Sequence, residues 1–122
     1  MRSRLADLEL EARDEVIVAR IAGEIDSSNA AELRRALLER LSNNVRGMVL
    51  DITAVRYVDS TGIALIFDLA RGLEARRQAL RVAAAGEGAV RRVLELCAVD
   101  AVAAVDDDPG AAIAALSGGP AS

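Results

Sequence analysis

The sequence contains no histidine, no lysine and no tryptophan, and it has a single cysteine. Without histidine or lysine, the chain cannot build the Ser–His, Cys–His or Ser–Lys pairs of nucleophilic catalysis, a Schiff-base lysine or the usual phosphate-loop lysine. A zinc ion would find one thiol and otherwise only carboxylates, which is a poor set of ligands. No pair of carboxylates stands out as a general acid and base. We therefore expect a protein without enzymatic activity, cofactor or metal.

The charge balance and the scarcity of aromatic residues disfavour nucleic acid as a ligand. The net charge is −4 and all 15 cationic side chains are arginine, whereas nucleic-acid binding rests on a basic surface. One tyrosine and one phenylalanine are too few for a base-stacking platform. No apolar run approaches the roughly 18 residues that span a bilayer, and the N-terminus is too polar to open a signal peptide. We expect a protein-binding module in the cytoplasm, with no direct insertion into a membrane.

The single cysteine, Cys97, cannot form an internal disulfide, which agrees with a reducing compartment. Its neighbours Leu94, Leu96 and Val99 are apolar. A free cysteine among such residues behaves as a small hydrophobic side chain. We therefore predict that Cys97 is a buried structural thiol and not a nucleophile.

The 122 residues are enough for one domain with a real core, and 52% of them are apolar. Runs of β-branched and apolar residues predict five strands: Leu8–Ala12, Val16–Ala22, Met48–Ile52, Leu80–Ala84 and Ala101–Val105. Helical periodicity predicts four helices, which begin near Asn29, Ser60, Val90 and Pro109. We expect a single domain over 1–122 with its core at about 8–116, and flexible ends at 1–7 and 117–122.

The order of these elements predicts a mixed α/β sheet. The first two strands are joined by the polar turn Arg13–Glu15 and form an antiparallel edge hairpin. Strands and helices then alternate, which is typical of a parallel sheet with helices on one or both faces. Functional groups in such sheets gather in loops at the carboxyl ends of the parallel strands. Two loops meet that description, Gly23–Asn29 after the second strand and Thr53–Gly62 after the third, where Thr53–Val58 is predicted to be a short connection.

Three predicted helix starts carry residues that can cap a helix. Asn29 with Glu32 has the spacing of a capping box. Asp59 or Ser60 can accept hydrogen bonds from the free N–H groups at the start of the second helix. The run Asp106–Asp108 before the last helix is interpreted as a solvated helix start, with acids at the positive helix end, and not as a metal site.

Three segments carry a pattern found in a known family: Gly23–Asp26 after a strand, Met48–Asp51 as the central strand, and Val58–Ile63 at the opening of a helix. With this order and spacing, which match from about Val16 to Val105, the chain resembles the STAS domain, and within it the anti-sigma factor antagonists of bacteria. The Asp-Ser-Thr-Gly element alone is a weak motif. Its combination with Gly-Glu-Ile-Asp at this distance is fairly specific.

The resemblance implies a fold and a regulatory function. The family fold is a mixed sheet with helices packed mainly on one side, so we expect about five strands and about four helices in a STAS-like arrangement. Family antagonists bind an anti-sigma factor that is also an ATP-dependent serine kinase of the histidine-kinase-like ATPase fold, and this binding frees a sigma factor. Phosphorylation by that kinase makes the antagonist dissociate from the anti-sigma factor. A phosphatase is a further candidate partner, and the chain is expected to be a monomer or a weak dimer.

The resemblance also assigns residues. The phosphorylatable residue of the family directly follows the Asp of the motif, so here it is Ser60 after Asp59, with Thr61 as a less favoured second site. The Asp of the Gly-Glu-Ile-Asp element lies beside the phosphosite in family members and matches Asp26. Gly62 either lets a partner backbone approach or relieves crowding at the helix start, and both interpretations stay open. The expected partner-binding residues are Asp26, Ser27, Asp59, Ser60, Thr61, Gly62 and Ala64.

The chain departs from the family in its third helix. Gly86–Gly88 stands where many members have a Ser-Pro-like helix start, and Cys97-Ala98 replaces a common Ser-Gly at the helix end. Glycine at a helix end allows a left-handed turn, and alanine there would cost up to about 1 kcal/mol. These changes affect the surface of the third helix and not the phosphosite.

Two other functions stay open. A STAS domain can be an accessory module of a membrane transport complex for lipids or anions, where it binds a transporter or ATPase subunit without phosphorylation. A short chain with serine at the phosphosite favours the antagonist over this module. Some STAS domains bind nucleotides, but the absence of lysine and the scarcity of aromatic residues disfavour such a sensor.

Overall fold

The computed structural model describes residues 1–118, which form one six-stranded sheet and four α-helices. The strands are β1 (Arg2–Ser3), β2 (Ala6–Arg13), β3 (Val16–Ile25), β4 (Gly47–Val58), β5 (Ala79–Ala83) and β6 (Ala104–Asp106). The helices are α1 (Ala30–Glu39), α2 (Ser60–Ala75), α3 (Ala89–Leu96) and α4 (Pro109–Leu116), with a 3₁₀ turn at Val99–Ala101. Among these residues, no helix is long and apolar enough to cross a membrane. Residues 119–122 of the expected flexible tail lie outside the described residues.

The sheet is mixed, as predicted, and its strands lie side by side in chain order. β1, β2 and β3 are antiparallel neighbours, whereas β3 to β6 are parallel. The sequence predicts five strands, and the additional one is the two-residue β1. It pairs Arg2 with Asp7, and the Leu8 N–H donates to the Met1 carbonyl oxygen at 2.7 Å. The segment 1–7, which we expected to be flexible, instead forms this edge strand and the start of β2.

The helices lie mainly on one face of the sheet, as the resemblance implies. α1, α2 and α3 cover that face, and α4 packs against the other, where Ile113 joins Val16, Val18 and Val49. Successive strand residues point to opposite faces, so each central strand contributes to both layers. The largest fully buried side chains all belong to the larger layer: Leu8, Ile21, Ile25, Leu33, Leu37, Met48, Leu50, Ile52, Leu65, Ile66, Leu69 and Leu73. Each such burial contributes about 1.5–3 kcal/mol, so this layer holds the domain together.

β3 and β4 run further than the sequence predicts. The expected break after Ala22 and the expected connection Thr53–Val58 are both strand, and the ends of the two strands remain paired. A register shift between Gly23 and Glu24 interrupts the alternation of side chains. Gly23 has φ +108°, and a Cβ there would lie 2.2 Å from the Leu5 carbonyl oxygen, so only glycine fits this bulge. The prediction that Thr53–Val58 is a connection is therefore wrong.

The end of α3 contradicts the prediction for Cys97 and shows the conformation of Ala98. Cys97 is exposed, so the prediction of a buried thiol is wrong. This short helix buries Leu94 and leaves its C-terminal side in solvent, where Leu96 is 80% exposed. Ala98 adopts the left-handed conformation, with φ 57° and ψ 39°, at the position where many family members have glycine. A Cβ in this conformation is expected to cost up to about 1 kcal/mol relative to glycine.

The three aspartates before α4 each have a structural partner. Asp106 and Arg81 form a two-pronged ion pair at 2.8 and 3.0 Å, which joins β6 to β5 and raises the pKa of Arg81. Asp107 accepts a hydrogen bond from Arg91 of α3 at 3.0 Å. Asp108 caps α4 by accepting a backbone N–H of the first turn at 2.9 Å. The interpretation as a helix start is confirmed for Asp108, while its two neighbours bind arginines.

Candidate functional site

The two polar loops predicted from the sequence meet at one edge of the sheet. β3 and β4 are parallel neighbours, so their carboxyl ends lie together, with Ile25 opposite Val58. The Asp59 N–H donates to the Ile25 carbonyl oxygen at 3.1 Å. The first loop (Asp26–Asn29) and the second loop (Asp59–Gly62), which follow these strands, therefore emerge side by side.

Asp59 caps the N-terminus of α2. Its backbone is extended, with φ −99° and ψ −172°, and lies just outside the helix. Its Oδ1 atom accepts the N–H of Thr61 at 2.9 Å, the N–H of Gly62 at 3.1 Å and the Thr61 hydroxyl at 2.6 Å. Of the two candidate caps in the sequence, Asp59 and Ser60, the structure selects Asp59.

These donors hold the pKa of the Asp59 carboxyl below its usual range. The Thr61 hydroxyl is the largest cause, followed by the backbone N–H groups of Gly62, Thr61 and Ser27, while partial burial acts in the opposite direction. Hydrogen bonds donated to a carboxylate favour its charged form. Asp59 is therefore an anion at neutral pH.

Ser60 and Thr61 differ in what their hydroxyls do. Ser60 is the first residue of α2 and is exposed. The hydrogen bonds that cap the helix use the Thr61 hydroxyl and leave the Ser60 hydroxyl unused. Ser60 thus presents a hydroxyl oxygen to solvent, whereas the Thr61 oxygen is held by Asp59.

Gly62 is buried where α2 passes over the ends of β3 and β4. A Cβ there would lie 2.7 Å from Val58 Cγ1, 3.0 Å from Ile25 Cγ2 and 3.2 Å from the Ile25 carbonyl oxygen. The β-branched Val58 side chain has little freedom to rotate away. Of the two interpretations of Gly62, the structure supports steric relief, because this glycine offers no exposed surface to a partner backbone.

Asp26 organises the first loop. Its Oδ1 atom accepts the Ser28 N–H at 2.9 Å and the Ser28 hydroxyl at 2.5 Å. Asp26 is half-buried, and Ser27 and Ser28 are exposed. The structure therefore brings Asp26 and Ser27 to the same edge as Asp59 and Ser60, with the Asp26 carboxylate bound within its own loop.

Asn29 is a site residue whose role the sequence did not reveal. Its side chain is only 1% exposed. The Nδ2 group donates to the Glu24 carbonyl oxygen at 2.8 Å and to the Arg4 carbonyl oxygen, and the Oδ1 atom accepts the Asp26 N–H at 3.1 Å. Asn29 thus ties the first loop to the end of β3 and to the N-terminal edge of the sheet.

The predicted capping box of Asn29 and Glu32 is wrong. Asn29 precedes α1, but its side chain makes no capping hydrogen bond because it points into the protein. Glu32 is exposed and accepts a hydrogen bond from Ser3 of β1. Asparagine is so frequent as a cap that the sequence carried no signal for this inward orientation.

Ala64 lies one helical turn after Ser60, next to the second loop. It is exposed on α2, above Ser60. Further along the helix, Asp68 pairs with Arg34 of α1 at 3.2 Å and with Arg71. The side chains of Asp68, Arg34 and Arg71 form ion pairs with one another, and the pair with Arg34 connects α2 to α1. The candidate surface therefore comprises the two loops and Ala64, and not the whole outer side of α2.

The Ser60 hydroxyl of this surface can act as the acceptor of a transferred chemical group. Asp26 and Asp59 make it acidic, while the charge of nearby Glu24 is offset by Arg56 at 3.6 Å. Ser60 has no histidine or lysine to remove its proton. Nowhere in residues 1–118 do three or more potential metal-binding side chains cluster. What this surface presents is an exposed serine hydroxyl beside two aspartate carboxylates.

Comparison with known proteins agrees with this picture. The family model of the STAS domain matches residues 7–112. The anti-sigma-F factor antagonist RsfB of Mycobacterium tuberculosis is 34% identical over 86 residues, which cover 70% of this chain and 68% of that protein. The crystal structure of an anti-sigma factor antagonist from Mycobacterium paratuberculosis has a TM-score of 0.82 at 25% identity, covering 91% of this chain and 93% of that one. The unphosphorylated form of the antagonist SpoIIAA has a TM-score of 0.76 at 21% identity, covering 92% and 97%.

The fold also occurs in another context. A sulfate transporter family protein from Wolinella succinogenes has a TM-score of 0.73 at 17% identity, covering 87% of this chain and 88% of that one. At this identity the likeness concerns the fold alone. The sheet and its helices therefore do not by themselves separate a regulatory function from a transport-associated one.

Proposed function

The chain belongs to the STAS domain family, and we propose that it acts in the cytoplasm as an anti-sigma factor antagonist. In its unphosphorylated form it binds an anti-sigma factor that is also a serine kinase of the histidine-kinase-like ATPase fold, and a sigma factor is released. Phosphorylation of Ser60 ends this binding, and a phosphatase restores it. Gly62 sets the shape of the second loop. The docking surface comprises Asp26, Ser27, Asp59, Ser60, Thr61 and Ala64.

One observation carries this proposal, the exposed and unused hydroxyl of Ser60 at the first position of α2. A kinase can reach it without opening any part of the site. Thr61 would first have to leave the Asp59 carboxylate, to which its hydroxyl is bound at 2.6 Å. The names of the relatives, which are anti-sigma factor antagonists, support the same function.

The surroundings of Ser60 indicate how a phosphate would act. A phosphoserine carries about −1.5 to −2 charges at neutral pH. A helix N-terminus normally stabilises such a group, but Asp59 already accepts the N–H groups of Thr61 and Gly62. The phosphate is therefore added beside an existing anion, on the exposed side. A partner that docks against a neutral hydroxyl would then bury an unpaired charge, which typically costs about 2–5 kcal/mol.

The first experiment asks whether Ser60 is phosphorylated. The purified protein is incubated with ATP and a lysate of the organism that encodes it, and then digested with trypsin. Ser60 lies in the peptide Tyr57–Arg71. We expect phosphate on this peptide in the wild-type protein and in Thr61→Val, and none in Ser60→Ala. Phosphate on Thr61, or none on the peptide while the kinase modifies another substrate, would contradict the proposal.

The second experiment measures binding of the captured ATPase to both forms of the protein. We expect phosphorylation to weaken binding by about 30-fold or more, which corresponds to the lower limit of about 2 kcal/mol for an unpaired charge. Ser42→Asp, at an exposed position remote from the two loops, is the control and should bind like the wild type. Equal affinity of the phosphorylated and unphosphorylated forms would refute the switch.

A constitutive module of a membrane transport complex is the second candidate function. The fold is compatible with it, because a sulfate transporter family protein shares this fold. Such a module binds its complex without phosphorylation, so Ser60→Ala and wild type would capture the same proteins. Capture of a histidine-kinase-like ATPase that is lost on phosphorylation supports the antagonist. Capture of lipid or anion transport subunits, regardless of Ser60, supports the transport module.

A further inference from the structure

The end of α3 and the turn after it carry an exposed apolar patch. Leu96 is 80% exposed and Val102 is 44% exposed, and the apolar residues close to them in the chain are exposed as well. We call this set the α3 patch, and it comprises Leu96, Cys97, Ala98, Ala101 and Val102. Single exposed apolar side chains are ordinary, whereas a group of them on a soluble protein marks an interaction site.

The core of the domain does not account for Leu96. α3 buries Leu94, and Val90 and Val93 pack against the core. Successive residues of a helix are turned by about 100°, so Leu96, two positions after Leu94, points to the nearly opposite side. A surface helix normally carries polar residues on that side. A leucine there contributes to stability or binding only when another surface covers it.

A groove lies directly beside the α3 patch, and Val102 belongs to both. The groove has a volume of about 450 Å³. Besides Val102, its apolar lining consists of Ala70, Ala79, Leu80, Ala101, Ala103 and Ala104. Because alanine side chains are short, the groove has room for a larger apolar side chain from another molecule. This surface therefore combines a protruding leucine with an apolar groove that can receive one.

Two charged residues flank the α3 patch. Arg92 precedes Leu96 by four residues, and Asp100 follows it by four. Both are exposed, and neither takes part in an ion pair within residues 1–118. A two-fold axis through the patch brings Arg92 of each copy towards Asp100 of the other. Opposite charges on the two sides of an apolar centre make this surface complementary to itself.

We propose that the α3 patch is the interface of a weak symmetric dimer, in which Leu96 of each copy enters the groove of the other. A second copy is the occupant because it supplies a leucine for each groove and a partner of opposite charge for both Arg92 and Asp100. A two-fold interface uses the same surface on both copies, so association closes at two chains and does not continue into a fibre.

The dimer leaves the candidate functional site free. Glu74, which also lines the groove, lies 14 residues after Ser60 in α2, about 21 Å along the helix. The groove contains Ala79, the first residue of β5, whereas the two loops of the site follow the last residues of β3 and β4. These strands are parallel, so the groove and the site lie at opposite edges of the sheet. The inference therefore does not depend on the proposed function.

Sedimentation velocity of the full chain, from low to high micromolar concentration, tests the dimer. We expect a reversible monomer–dimer equilibrium for the wild type. Leu96→Ala should weaken association by about 30-fold or more, because the side chain in each groove is truncated. Alanine favours helices, so this variant should fold. Leu5→Ala, at another leucine that is 54% exposed, is the matched control and should dimerise like the wild type.

Exchange of the flanking charges tests the two-fold geometry. Arg92→Glu and Asp100→Arg each place like charges opposite each other in a dimer of that variant. We expect each variant alone to associate about 5-fold or more weakly than the wild type. In an equimolar mixture, the glutamate of one variant faces the arginine of the other, and the remaining Arg92 faces the remaining Asp100. The mixture should therefore recover the affinity of the wild type.

Several results would overturn this inference. A wild type that stays monomeric at every concentration excludes the dimer. Equal affinities of Leu96→Ala and Leu5→Ala would place the contact on another face, and a mixture of the charge variants that fails to recover would exclude the two-fold arrangement. A monomeric wild type that needs Leu96 to capture a different protein would make that protein the occupant. Ser60→Ala should dimerise like the wild type, so this test and that of the antagonist function fail independently.

Discussion

Replacement of Gly62 by alanine should destabilise the protein, although alanine is the better helix former. The new methyl group would lie 2.7 Å from Val58 Cγ1 and 3.2 Å from the Ile25 carbonyl oxygen. Val58 and Ile25 are buried in the ends of β4 and β3, so neither can move without disturbing the sheet. Overpacking of this kind costs about 1–3 kcal/mol. The gain in helix propensity is at most about 1 kcal/mol. We expect a net loss of about 1–2 kcal/mol.

Gly72 of the same helix provides the matched control. A Cβ at Gly72 would meet only the Leu38 Cδ2 atom, at 3.3 Å, which is the end of a flexible side chain. Gly72→Ala should therefore gain about 0.5–1 kcal/mol from helix propensity and reduced entropy of the unfolded chain. Urea unfolding of both variants, with unchanged dependence on urea concentration, measures the difference. The two free energies of unfolding should differ by about 2 kcal/mol.

The comparison also decides between the two interpretations of Gly62. If Gly62→Ala were as stable as Gly72→Ala, the steric argument would be refuted. A stable Gly62→Ala variant that fails to bind the kinase would instead support close approach of a partner backbone. A destabilised variant that still accepts phosphate on Ser60 would confirm that Gly62 acts through packing.

Two further predictions concern the loops. Asn29→Ala removes the partner of two carbonyl groups and one N–H, so we expect the free energy of unfolding to fall by about 2–4 kcal/mol in urea titrations. Asn44→Ala, at an exposed position, should change it little. Asp59→Asn keeps a capping residue and removes its charge. Because folding lowers the pKa of Asp59, its charge stabilises the fold above the unfolded pKa of about 3.9, and this contribution is lost as the pH falls through the folded pKa. The variant should therefore lose less stability than the wild type between about pH 5 and about pH 3, measured from urea midpoints. An Asn29→Ala variant of wild-type stability, or identical acid profiles for Asp59→Asn and wild type, would contradict the roles assigned here.

The fold could be predicted from the sequence where one physical effect dominates. Met48–Ile52 is so apolar that a strand covered on both faces is the natural solution, and Asp59 precedes a helix with regular apolar spacing. The resemblance to a family then supplied the arrangement of the helices and the identity of Ser60 as the candidate phosphosite. These predictions depend on the local pattern of apolar and polar residues, or on motifs whose spacing matches that of the family.

The errors arise where two effects compete. Thr53–Val58 contains exposed Arg56 and Tyr57, and its bulged partner strand hides the alternation, so pairing with β3 could not be inferred from polarity. Asn29 suits a helix cap as well as a buried amide, and only the neighbouring carbonyl groups of the folded chain decide between them. Cys97 has apolar neighbours, but the short α3 buries only Leu94, and this choice is made by tertiary packing.

The bonding of the two loops has a consequence for the energetics of recognition. Asp26, Asn29 and Asp59 hold the backbone of both loops with hydrogen bonds from within the same chain. A surface that is already preorganised does not need to be immobilised when a protein docks on it, a step that otherwise costs about 0.5–1.5 kcal/mol for each flexible side chain. For the proposed partner, affinity would then depend on the shape and charge that this face already has, and the proposed phosphate on Ser60 would change that charge directly.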